Sequence, residues 1–105
     1  MFVINGIEWN ILYVNPNSHL LLRSDGVFTL GVTDFPTQIV YINNRIKGEL
    51  LTKVITHEIV HCLIFSYGID YSIEEEEKIA DFIANFGREV INASDNIVNS
   101  IRKAI

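Results

Sequence analysis

The stretch from Gly48 to Gly68 constrains this chain most. Leu50, Leu51, Val54, Ile55, Ile59, Val60, Leu63 and Ile64 recur there at helical spacing, over roughly five turns. In the second half of the run apolar residues lie nearly all round the helix, so it must be buried on most sides and form the central element of the domain. Gly68 stands where a residue just past the helix end is needed. Inside this apolar run sits Thr56-His57-Glu58-Ile59-Val60-His61, a polar insertion that a purely structural helix does not need.

The segments before it read as strands. Ile7–Val14 is rich in β-branched and aromatic residues and stops at Asn15-Pro16-Asn17. Leu20–Leu22 reads as a short second strand, and Ser24-Asp25-Gly26 as a turn leading into a third over Val27–Thr33. Asp34-Phe35-Pro36 breaks that strand, and Gln38–Ile42 is a fourth. A small, twisted antiparallel sheet is therefore expected over the first 44 residues. After Gly68, Ser72-Ile73-Glu74-Glu75 offers a capping box with Ser72 at N-cap and Glu75 at N3. It opens a helix striped by Ile79, Ile83, Phe86 and Val90 and running to about Ile91. A third, short helix is expected from Ser94 or Asp95, with Ile97, Val98, Ile101 and Ile105 on one side, a stripe that could pack on the domain, on a partner or on another copy. The fold class is α+β, and 105 residues fit one domain, 1–105.

A hydrophobic fraction of 49% and a charged fraction of 20% exclude a disordered chain. The net charge of -5, with Lys and Arg scattered singly, excludes nucleic acid or an anionic membrane as the main partner. The longest uncharged apolar run, Ile59 to Tyr67, is too short to cross a bilayer. An acid and no basic segment at the N-terminus, with the single cysteine Cys62, lead to the expectation of a cytoplasmic protein. The pattern does not set the oligomeric state.

On a helix, His57 and His61 project from one face one turn apart, so their imidazoles can meet at a single metal ion. Glu58 lies about 100° round from His57, close enough to act as a general base on water at that ion. A catalytic zinc needs a third protein ligand. Glu77 supplies one on the next helix, where Glu77, Ala80, Asp81 and Ala84 form a face of two acids and two small residues that lets the helices approach. Asp81, one turn on, could accept the outer N–H of a ligating histidine. Glu74, Glu75 and Glu76 read as a solvated first turn, any one of which could take the place of Glu77. Cys62 points away from the histidines and reads as a core thiol. Phe28, Phe35, Phe82 and Phe86 read as core or cleft wall, and His19 as a surface residue. The plain alternative is a pair of buried structural histidines satisfied by Glu77 and Asp81.

His57-Glu58-x-x-His61 followed by Glu77-x-x-x-Asp81 resembles the signature of gluzincin metallopeptidases, an arrangement also found in thermolysin-like enzymes. Glu77–Ala84, EKIADFIA, resembles the E-x-x-A-[N/D]-x-F-A helix of ImmA/IrrE-type metallopeptidases. Small bacteriophage and prokaryotic members of these groups are similar in length, and the resemblance covers roughly Leu30 to Phe86. It implies a zincin-like fold and zinc-dependent hydrolysis of a peptide or protein substrate. His57, His61 and Glu77 would be ligands to one Zn²⁺, Glu58 the catalytic base, and Asp81 the group orienting His57. It also implies that Leu30-Gly31-Val32-Thr33 lines the cleft and holds an extended substrate by main-chain hydrogen bonds, with Gly31 allowing close approach. Tyr67, Tyr71 and His19 are candidate donors to the oxyanion. A non-catalytic regulatory module of phage or mobile-element origin, braced by zinc, fits the same residues.

Overall fold

The long apolar run forms α1, Gly48–Ser66, and the computed structural model, which describes residues 1–104, builds everything else around it. Four strands precede it: β1 (Phe2–Ile4), β2 (Ile7–Val14), β3 (Gly31–Asp34) and β4 (Ile39–Asn43). A second helix, α2, follows over Ile73–Ala104. The strand order is β1-β2-β4-β3, which leaves β3 at one edge. Ile105, the last member of the C-terminal stripe, lies outside the described residues.

The sheet is mixed, where the sequence reading expects an antiparallel one. β3 and β4 form an antiparallel hairpin, but β4 lies parallel to β2, with Ile11 opposite Val40 and Tyr13 opposite Ile42. Because the chain crosses over between Val14 and Gly31, β4 enters beside β2 running the same way. β1 was not expected at all. Asn5 (φ 49°) and Gly6 (φ 78°) form the two-residue, positive-φ turn that matches strand twist, pairing Ile4 with Ile7 and Phe2 with Trp9.

Leu20–Leu22 is not a strand. Ser18 Oγ accepts the N–H of Leu20 and nucleates a 3-10 turn over His19–Leu21, a side-chain capture that competes with pairing. Leu22 retains one isolated bridge to Phe28, and regular pairing starts only at Gly31. The break expected after Ile91 is also missing, since Asn92-Ala93-Ser94 carries no Gly or Pro to stop the helix, and α2 runs unbroken for 32 residues.

Trp9, Val40, Ile42 and Cys62 are fully buried and make the core between sheet and α1. Trp9 Nε1 donates to Ser66 Oγ at 2.9 Å, and Asn5 Nδ2 donates to the Ser66 carbonyl at 2.9 Å, so the hairpin ties down the end of α1. α2 packs on α1 through Ala80, fully buried against Val60 and Ile64. The capping box forms as expected: Ser72 N–H donates to Glu75 Oε1 and Glu75 N–H to Ser72 Oγ.

Gly31 sets how closely β3 lies on α1. A Cβ there would come 2.9 Å from Val54 Cγ1 and 3.0 Å from Glu58 Cγ. The close approach the sequence assigns to a substrate is therefore made by the helix. Gly31→Ala is expected to cost about 1–3 kcal/mol by overpacking, read from urea unfolding with an unchanged m-value. The capping box gives a second expectation. Its hydrogen bonds from Ser72 hold the Glu75 carboxyl below its ordinary 4.5. Its contribution is thus present above 4.5 and lost as pH falls through the lowered value. In Ser72→Ala, NMR titration should return Glu75 upward toward 4.5.

Candidate metal centre

α1 delivers His57, Glu58 and His61, and the first turns of α2 deliver Glu76, Glu77 and Asp81. The two imidazoles turn their Nε2 atoms toward one another, 3.1 Å apart. Glu77 faces both, with Oε1 3.0 Å from His61 Nε2 and Oε2 3.2 Å from His57 Nε2. One donor atom from each of the three residues falls within 4.8 Å of the others, a group that could hold a metal ion.

The outer nitrogens are engaged as well. His57 Nδ1 lies 2.9 Å from Asp81 Oδ1, the pairing the sequence anticipates, and His61 Nδ1 lies 2.7 Å from Glu76 Oε2. Assigned from these bonds, each Nδ1 carries the hydrogen and donates it to a carboxylate, which leaves both Nε2 lone pairs facing inward with Glu77. Three acceptors pointed at one spot repel one another unless a cation sits among them. The donor chemistry fits zinc: two nitrogens about 2.0–2.1 Å from a tetrahedral ion would lie about 3.3 Å apart, close to the observed 3.1 Å.

Glu58 stands beside this group and not in it. Its Oε1 accepts from Thr33 Oγ1 at 3.0 Å, while Oε2 lies 3.8 Å from His57 Nε2. The residue is only 7% exposed. Burial pushes its carboxyl up from the ordinary 4.5, against the pull of His61, His57 and the Thr33 hydroxyl; Glu77 adds to the rise. Cys62, next to His61, is fully buried, and burial holds its thiol up to about 12. It stays neutral in the core and takes no part as a ligand.

A cleft of about 540 Å³ opens over these residues, with Gly31, Val32 and Thr33 of the edge strand on its wall. Leu30, just before β3, is not on that wall; its carbonyl accepts the Asn43 N–H. Nor are the three donors the sequence offers for an oxyanion: Tyr67, Tyr71 and His19 all lie elsewhere, and the cation that lines the cleft is Arg23, paired with Asp25 at 3.0 Å. Of the four phenylalanines, Phe35 lines the cleft and stacks on Phe65. Phe28, Phe82 and Phe86 are about half exposed and wall neither core nor cleft.

Two contacts escape the sequence reading. Glu76 reads as part of a solvated acid run, yet it sits one turn before Ala80, and the spacing that buries Ala80 also turns Glu76 toward α1. The Thr33–Glu58 bond has no local signal, because it joins a strand to a helix 25 residues away.

If Glu76 and Asp81 orient the imidazoles, Glu76→Gln and Asp81→Asn should each weaken metal binding by roughly 10- to 100-fold, with helix content unchanged by circular dichroism. Competition against a chromophoric chelator measures this. No helix among the described residues is long and apolar enough to cross a membrane. Compared with protein-family models the chain matches none, and no curated protein is significantly similar to it.

Proposed function

We propose that the protein is a zinc-dependent peptidase of the gluzincin kind. The observation that carries this reading is a buried, unligated carboxylate, Glu58, set beside a His57/His61/Glu77 group in a cleft walled by the free edge of β3. A purely structural metal site has no use for such a carboxylate, since burying it costs free energy. A hydrolytic site needs one.

His57, His61 and Glu77 would hold the ion, and Asp81 and Glu76 would fix the two rings. When bound, zinc supplies Lewis acidity, polarising a carbonyl and lowering the pKa of water to about 7. Glu58 takes the proton from the attacking water and passes it to the departing amine. The bond from Thr33 to Oε1 leaves Oε2 free for that work. Burial favours the protonated form of Glu58, which helps it accept the proton. β3 is the edge strand, with no strand on its outer side, so that edge can align an extended peptide beside Glu58.

Protein purified without an affinity tag should carry about one zinc per chain. Glu58→Gln should keep that zinc while losing roughly 100- to 10,000-fold in cleavage of a broad peptide library. Wild type that binds zinc and cuts no more than the variant would transfer the site to a non-catalytic, zinc-braced module. A folded chain that takes up no zinc would remove both readings.

A further inference from the structure

From Arg88 to Ala104 every residue of α2 is exposed. Arg88, Ile91 and Asn92 still border hollows shared with Thr52 and Thr56 of α1, so the part reaching beyond the packed body is Ala93–Ala104, about 18 Å of helix at 1.5 Å per residue. The radius of gyration reflects it, at 16.2 Å against about 13 Å for a compact chain of this length. The overhang is not a polar extension. The apolar line that begins with Ile79 and Ile83 continues through Val90, Ile97 and Ile101, with Ile91 and Val98 along one side, and no charged residue interrupts it. Val90, Ile91, Ile97 and Ile101 are each more than half exposed. A water-exposed helix of this length gains nothing from such a stripe unless something covers it.

We propose that the stripe is the seam of an antiparallel homodimer, α2 against α2, with the two-fold axis crossing between Asp95 and Asn96. The pattern is self-complementary about that point. Val90 falls opposite Ile101 of the second copy and Ser94 opposite Ile97, and both pairings recur on the far side of the axis, as a two-fold interface requires. Each layer sets a smaller residue against a larger one, and Ala93, Ser94 and Ser100 keep the seam narrow enough for helices to pack at 8–10 Å. Ile91 comes beside Val98 of the second copy on one flank. On the other, Glu89 comes level with Lys103, an ion pair made twice.

A parallel pairing would bring both globular parts to the same end of the helices, whereas the antiparallel one sends them to opposite ends. Four to five turns of paired helix bury on the order of 1,000 Å² in total, the lower bound for a specific interface, so a dimer that dissociates on dilution is expected. Glu77 and Asp81 project from the opposite side of α2, about 120° to 160° round from the stripe, so the dimer leaves the metal group open.

The inference rests on the overhang alone and is tested apart from the metal chemistry. In sedimentation velocity the full chain should approach twice its 12.0 kDa as concentration rises, with or without chelator. Ile97→Lys replaces a side chain that is 62% exposed, so it should keep helix content and sediment as a monomer. Orientation is read by oxidation: a mixture of Val90→Cys and Ile101→Cys chains should form a mixed disulfide, while Val90→Cys alone should not. Buried Cys62 stays out of the exchange. Any one of these results overturns the proposal: a monomer at every concentration, including one found bound to a different protein, an Ile97→Lys chain that still dimerises, or ready cross-linking of Val90→Cys to itself.

Discussion

The approach of β3 to α1 is the contact on which the rest of the site depends. It is set by the absence of a side chain at Gly31, where even a methyl group would press on Val54 and Glu58. At that spacing Thr33, two residues along the same strand and so on the same face, reaches the Glu58 carboxylate. One oxygen of Glu58 is thereby satisfied, its rotamer is held, and the other oxygen is left near His57. The same closeness buries Glu58 and raises its proton affinity. Fold and chemistry meet in one glycine, because the contact that closes the core also helps bury the carboxylate, the largest cause of its raised pKa.

Much of this was legible in the sequence where the signal was local. The apolar run of α1, its end at Gly68, the Ser72–Glu75 capping box, and the histidine pair with Glu77 and Asp81 all follow from spacing along a helix, and each appears where the spacing puts it. The strands were harder to bound, since local pattern does not say which neighbour a strand will find. β4 pairs parallel with β2 after a crossover that no residue between them announces. The Leu20–Leu22 segment has a strand's composition but loses a backbone N–H to Ser18. The Asn5-Gly6 hairpin did carry a strong local signal, the dipeptide preferred when both turn residues need positive φ, and it lay next to a strand of only three residues, Phe2–Ile4.

α2 divides its work by face and by length. Its first three turns carry the acids that meet α1, and Ala80 allows that meeting because it adds almost no bulk between the helices. Ile79 and Ile83 flank this contact, and the same apolar line then leaves the domain. Two tasks on one rigid helix are mechanically linked, since α2 cannot tilt at its far end without moving Glu77 and Asp81 relative to the histidines. A partner on the overhang would therefore also bear on where those carboxylates stand.

The balance of charge around those rings carries the last step. Four carboxylates, of Glu58, Glu76, Glu77 and Asp81, gather about two imidazoles. Three are accounted for without a metal: Asp81 and Glu76 each accept an Nδ1 hydrogen, and Glu58 accepts from Thr33. Glu77 is left over, its two oxygens close to two nitrogens that, with their hydrogens spent on the far side, present only lone pairs. A proton added to one ring would satisfy part of this group, but a proton on each would set two like charges 3.1 Å apart. One divalent cation satisfies all three inward-facing groups at once and needs no proton. The outer carboxylates would then serve it too, since such partners raise the basicity of ligating nitrogens. That is why the two histidines, taken with Glu77, make a group that could hold a metal ion.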